Sequence, residues 1–230
     1  MSGKIRNQRT FLLRNHIEPN ENTLRELKEM ATRADECESM ETLLGLEGNA
    51  ARLYFGAFSG LLKTETGEEL PPMFRLDFMG RNRRPPRDAV NALLSLGYSL
   101  LVKDLTIACY AAGFDPMLGF YHQPGFGRPA LALDLMEPFR PLIVDSAVIT
   151  AINTKMVSGR DFICAGAGVA LTAQGRKGFY RAYEMRMDTL VTHPIFGYRV
   201  SYRRLLELQV RLLAKVLDGD VAKYPAFVTR

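Results

Sequence analysis

Residues 88–112 read DAVNALLSLGYSLLVKDLTIACYAA, and the fold class follows from how little of that run is polar. Asp88 is a good N-cap residue, and Gly113 supplies a stop just past the last periodic position. The run is apolar nearly all round, which predicts the buried central helix of a bundle. Lys103 and Asp104 interrupt it, and the chain has no run of about 18 uncharged apolar residues, so a transmembrane span is not expected. The expected class is all-α: a helical bundle with at most a short β-hairpin.

Downstream lies GFYHQPGFGRPALALDLMEPFRPLIVD, from Gly119 to Asp145. His122 sits in its Gly/Pro-rich first half. Asp134 and Glu137 follow on an apolar run of helical period, three residues apart and so on one helix face. Measured from Glu137, the residues at helical spacing are Ala130, Leu133, Pro141, Val144 and Val148, which turns the carboxylate toward the core. Pro138 and Pro141 each remove a backbone donor, so a kink or break is expected at that point. Upstream, SMETLLGLEGNAARLYFGAFSGLL (residues 39–62) repeats apolar residues every three or four positions, an amphipathic helix. Glu47 belongs to its apolar stripe, while Glu41 and Arg52 fall on the opposite face.

Two acids from separate helices are thus directed inward, with a loop histidine nearby in sequence to one of them. A buried carboxylate is costly unless paired or metal-bound. An oxygen-rich site with one imidazole suits Mg²⁺ or Mn²⁺. The residues alone leave other roles open. A lone loop histidine more often bonds its neighbours than a metal, and Glu47 could instead be a helix-terminal charge or half of a core ion pair with an arginine.

The remaining chain reads as punctuation between helices. Residues 1–19 read as a linker remnant, and 20–230 as one α-helical domain. A helix is expected over about 21–38, and residues 63–87, rich in Gly and Pro, are expected to be mainly loop. There FRLDF (residues 74–78) alternates and predicts a short strand. DFICAGAGVALT (residues 161–172) predicts a hairpin around Gly166 and Gly168. No βαβ unit or following Lys-Ser/Thr supports a phosphate loop there. Thr172 caps a helix to about Val191, and Tyr198–Leu217 is the last long helix. His16 and His193 read as structural. Cys37, Cys109 and Cys164 form neither a zinc pattern nor an even disulfide set and read as small apolar fillers.

The net charge is +5 and the pI near 9.2, which permits nucleic acid without requiring it. Residues 18–48 are acidic, whereas positive charge gathers at Arg81, Arg83, Arg84 and Arg87, at 176–186 and along 199–215. Local basic patches of this kind suit a phosphate backbone, although the last two groups could equally be solvated helix faces. The basic start lacks an apolar signal core, which predicts a cytoplasmic protein.

LLGLEGNAARLYF around Glu47, RNRRPPRDAVNALLSLGYSLL from Arg81, the Gly119–Asp145 run and the tail SYRRLLELQVRLLAKVLDGDVAKYPAFVTR together resemble the CRISPR-associated integrase, the universal Cas protein that inserts new spacers into CRISPR arrays. The resemblance runs almost continuously from residue 4 to residue 230. It implies a helical catalytic domain with Glu47, His122 and Glu137 as metal ligands and catalytic residues, and Asp134 as a further ligand or as the acceptor that fixes the His122 ring. It implies a Mg²⁺- or Mn²⁺-dependent transesterification, in which the 3′-hydroxyl of a spacer-precursor DNA attacks a phosphodiester at the edge of a CRISPR repeat. Arg81, Arg83, Arg84, Arg87 and Arg128 become candidates for the DNA backbone by charge complementarity. Partners implied are a small ferredoxin-like Cas protein and a second copy of the chain, as a homodimer. The family's N-terminal β-rich domain is absent from this sequence, which puts dimerisation and partner binding in question. Two other classes fit the same residues: a metal-dependent nuclease on branched or single-stranded DNA, and a non-catalytic DNA-binding scaffold.

Overall fold

The computed structural model describes residues 1–63, 70–82 and 85–229. In chain order the helices are α1 (Ser2–Asn15), α2 (Glu21–Asp35), α3 (Met40–Gly56), α4 (Ala89–Ala111), α5 (Ala130–Met136), α6 (Ser146–Asn153), α7 (Ala173–Met187) and α8 (Tyr202–Leu217). Among the described residues, strand appears only as two small antiparallel hairpins, β1 (Phe162–Ala165) with β2 (Gly168–Leu171), and β3 (Leu190–Thr192) with β4 (Arg199–Ser201). The fold is therefore helical, as the 88–112 run predicts.

Helix α4 is the axis. Its buried residues include Leu93, Leu94, Leu101 and Leu105, and it packs against α5, α6, α8 and residues 140–145. It has the length and hydropathy of a membrane span, yet here it supplies the centre of the bundle. Its two charges are absorbed locally: Lys103 pairs with Asp104 at 3.0 Å, and Asp104 accepts from the Tyr183 hydroxyl at 2.8 Å. Gly97 lets residues 140–145 come close, because a Cβ there would meet Val144 Cγ1 at 2.5 Å. Asp88 accepts from the Asn91 backbone N–H as the N-cap, and Gly113, at φ +84°, ends the helix region. Asn20, Ser39, Thr172 and Ser201 cap α2, α3, α7 and α8 in the same way, each satisfying one orphaned backbone donor.

The break at the prolines is present. After α5 the chain tightens to a 3₁₀ turn over Glu137–Phe139, widens to a π-helical stretch over Arg140–Asp145, and resumes as α6. Pro138 and Pro141 cannot donate, so the α ladder cannot continue through them.

Four readings need correction. Residues 1–19 are not a linker: residues 2–15 form α1, with Ile5, Phe11 and Leu12 in the core and Lys4, Asn7 and Gln8 buried beside them. The stripe has helical spacing, but half of it is polar, which hides it from a hydrophobicity reading. Residues 74–78 form no strand; a 3₁₀ turn at Pro72–Phe74 leads into a bend at Arg75 and Leu76 and then irregular chain. Helix α7 ends at Met187, and α8 begins at Tyr202, because the second hairpin lies between them. Its strands have three residues each, too few to show a period of two, and Gly197 at φ +74° turns them. Finally, Cys109 is buried, but Cys164 is exposed on β1.

Candidate metal centre

Glu137 stands where α5 gives way to the 3₁₀ turn, and the break aims its side chain inward, leaving 3 % exposed. The Arg140 guanidinium donates to its Oε1 at 3.0 Å, and the Lys4 ammonium lies 2.6 Å from its Oε2. Burial alone would raise the pKa of this carboxyl; the positive charges of Lys4 and Arg140 outweigh it and hold the value at about 2. Glu47, on the inner edge of α3, accepts from the same Lys4 ammonium at 2.5 Å. One buried cation, its side chain 5 % exposed, therefore bridges two acids that are 90 residues apart in sequence. The two oxygens are at most about 5 Å apart.

The 119–130 loop is fastened by Asp134. Its Oδ2 accepts from the backbone N–H groups of Phe120 and Tyr121, at 2.6 and 2.9 Å. Its Oδ1 accepts from the His122 backbone N–H at 2.8 Å and lies 2.7 Å from His122 Nδ1. Burial tends to raise the pKa of Asp134, but the His122 ring and the three backbone donors bring it below its ordinary value. Both carboxylate oxygens are thus engaged by the loop. With Nδ1 held by Asp134, the ring nitrogen left for another ligand is Nε2. Gly119 permits the loop to close on α5, since a Cβ there would meet the Ala130 backbone carbon and the His122 carbonyl, each at 2.8 Å. The Tyr121 hydroxyl is buried without a hydrogen-bond partner among the described residues; burial first, then the charge of Glu47, raises its pKa.

The structure thus unites Glu47 with Glu137 through Lys4, and His122 with Asp134. Among the described residues, no three His, Cys, Asp or Glu side chains cluster closely enough to hold a metal as they stand. Lys4 and Arg140 were missed by sequence reasoning. Arg140 lies three residues after Glu137, a spacing that could have signalled the ion pair; Lys4 lay in the stretch read as a linker.

Behind the acids, the buried Asp145 accepts from the hydroxyls of Tyr54 and Tyr98 at 2.7 and 2.6 Å. Burial raises its pKa more than these bonds lower it. The Arg140 guanidinium stacks 4.1 Å from the centre of the Tyr98 ring. Arg81, half-buried, donates to Asn91 Oδ1 at 2.5 Å and to Ser95, and it also lines the open groove beside α3. Arg83 and Arg84 lie outside the described residues. Arg87 and Arg128 are exposed. An open groove of about 700 Å³ runs between α3, at Gly48, Ala51, Arg52 and Phe55, and residues 78–82. Ala51 and Phe55 also line the narrow pocket that holds Lys4, Glu47 and Arg140.

A family model described as CRISPR associated protein Cas1 matches residues 1–185. The chain belongs to the Cas1 family. It is 49 % identical over 233 residues to a Cas4 exonuclease/Cas1 endonuclease fusion of Geobacter sulfurreducens, covering 99 % of this chain and 41 % of that protein. It therefore spans less than half the length of that relative. Among solved structures, a casposase bound to integration product matches with a TM-score of 0.81 at 27 % identity, covering 98 % of this chain and 62 % of that one. A Cas6-RT-Cas1–Cas2 complex matches with a TM-score of 0.80 at 28 % identity, covering 98 % and 24 %.

In donor chemistry, though not in their present spacing, the residues suit the divalent ion that the resemblance implies. Two carboxylates and an imidazole nitrogen are donors that suit Mg²⁺ or Mn²⁺, and the acids already gather around one positive charge.

Proposed function

We propose that this Cas1 chain joins DNA in CRISPR adaptation, by divalent-metal-dependent transesterification at an array repeat. The observation that carries this reading is the pair of acids, Glu47 and Glu137, bridged by one buried lysine ammonium. Glu47, Glu137 and His122 Nε2 would hold Mg²⁺ or Mn²⁺, and Asp134 would orient His122. When bound, the ion would lower the pKa of the attacking 3′-hydroxyl, polarise the scissile phosphate and offset charge on the departing oxygen.

The chain's own residues do the rest. Arg140 neutralises and steers Glu137, the Asp145–Tyr54–Tyr98 network fixes the wall behind Arg140, and Asp134 holds the loop in register. Arg87 and Arg128 offer exposed charge to phosphates, and the groove along α3 gives a strand a path toward Glu47. DNA, as spacer precursor and CRISPR repeat, is the substrate. A small ferredoxin-like Cas protein and a second copy of the chain are the partners, and the site of action is the cytoplasm, where array DNA lies. The Cas2-containing complex and the casposase with integration product, both similar in fold, support this assignment.

Two other readings each have an observation behind them. The Geobacter relative is named an endonuclease, which suits water as the nucleophile. The Lys4 ion pairs suit a purely structural polar network. A strand-joining assay on branched and linear DNA with Mn²⁺ separates them. The wild-type chain yields joined product, and His122→Ala loses at least about 100-fold of it while keeping its circular dichroism spectrum. Hydrolysis without joining would establish the nuclease, and full joining by His122→Ala would refute the site.

A further inference from the structure

We propose that Lys4 is a positioning residue with two stations: it holds Glu47 and Glu137 together while no metal is bound, and it transfers its ammonium toward Gln8 when a divalent ion enters. The proposal rests on the reading of this site as a metal centre.

The first station is shown by the two ion pairs, at 2.5 and 2.6 Å from one nitrogen. Two carboxylates this close repel each other in a site largely removed from water, and either the Lys4 ammonium or an entering metal ion relieves that repulsion. Lys4 thus keeps the acids at a separation a metal can bridge. It also occupies the position the metal needs. With Arg140 already on Glu137, Lys4 and Arg140 balance the two acids. A divalent ion entering between the acids would meet the Lys4 ammonium at close range and repel it from that position.

The second station is Gln8, one turn along α1 at i+4 and so on the same helix face. It is 3 % exposed, and its Oε1 has no hydrogen-bond partner among the described residues. An unmatched buried acceptor is costly. Gln8 lines the same narrow pocket as Lys4, Glu47 and Arg140. A lysine has four rotatable carbons and three donors, so its ammonium can leave the acids for this oxygen without moving α1.

The test is Mn²⁺ binding by calorimetric titration of the full chain, compared across wild type, Lys4→Met, Lys4→Gln and Gln8→Leu. Removing the resident cation should tighten Mn²⁺ binding by about 10-fold in both Lys4 variants, while melting without metal occurs at lower temperature. Lys4→Gln keeps a polar group and serves if Lys4→Met does not fold. Gln8→Leu takes away the second station and should weaken Mn²⁺ binding by a factor of about 3 to 10. Wild type that binds Mn²⁺, with Lys4 variants that bind no more tightly, would overturn the role of Lys4 and leave the metal centre standing. No Mn²⁺ binding by any of the proteins would overturn both.

Discussion

Glu137 shows how a single carboxylate can be costly and still be kept. It has almost no water, yet Lys4 and Arg140 hold its pKa at about 2, against an ordinary value of 4.5. A folded-state value below the unfolded one means that the ion pairs stabilise the protein fully above pH 4.5, and that this stabilisation is lost as pH falls through about 2. At about 1.4 kcal/mol per unit, the metal-free chain should lose about 3 kcal/mol across that window. Denaturant unfolding at a series of pH values would show the slope, and Glu137→Gln should flatten it. The inward aim of Glu137 was legible because Ala130, Leu133, Val144 and Val148 share its helical spacing, even though Asp134 and Arg140 share it too. Its partner Lys4 was not, because a buried lysine in a polar-looking stretch gives no periodic signal. His122 was legible as a loop residue and its link to Asp134 as one of two options; the three backbone N–H bonds that settle Asp134 into the loop need the folded chain to be seen.

Between residues and fold stand the elements, and here the prolines did the most. Pro138 and Pro141 announced a break, and the chain answers with a 3₁₀ turn and a π-helical stretch between α5 and α6. Strand length set the limit elsewhere: β1 and β2, turned at Gly166, were readable, while the three-residue strands β3 and β4 were not. The close approach of α4 to the π-helical stretch gives a direct test. Gly97→Val would put a Cβ 2.5 Å from Val144 Cγ1 and 3.1 Å from Phe179 Cζ. The expected cost is about 1–3 kcal/mol from overpacking, measured by thermal melting. Metal affinity should fall as well, because residues 140–145 carry Arg140 and Asp145. Unchanged affinity would show that α4 does not set the site.

Over the whole molecule, the tail returns to the start of the chain. Asn7 donates to the carbonyls of Pro138 and Phe227, at 2.8 and 2.9 Å, and accepts from the Thr229 N–H at 2.9 Å. Phe227 stacks on Phe139 with ring centres 5.9 Å apart. Helix α1, the Glu137 turn and the C-terminal tail therefore form one unit around the acids. Basic charge was legible in the sequence but its placement was not: Arg81 bonds to Asn91 and lines the groove, while Arg87 and Arg128 are exposed. If these two contact phosphates, Arg87→Ala and Arg128→Ala should each weaken DNA binding evenly across sequences and reduce the salt-dependence slope by about 1. Fluorescence anisotropy at several salt concentrations would read this. The most direct measurement for the account as a whole is anomalous diffraction from crystals of the full chain soaked in Mn²⁺. The account predicts one strong peak between Glu47 and Glu137 within coordinating reach of His122, with the Lys4 ammonium moved away. A fully soaked crystal with no peak there, and Lys4 still bridging the two acids, would contradict it.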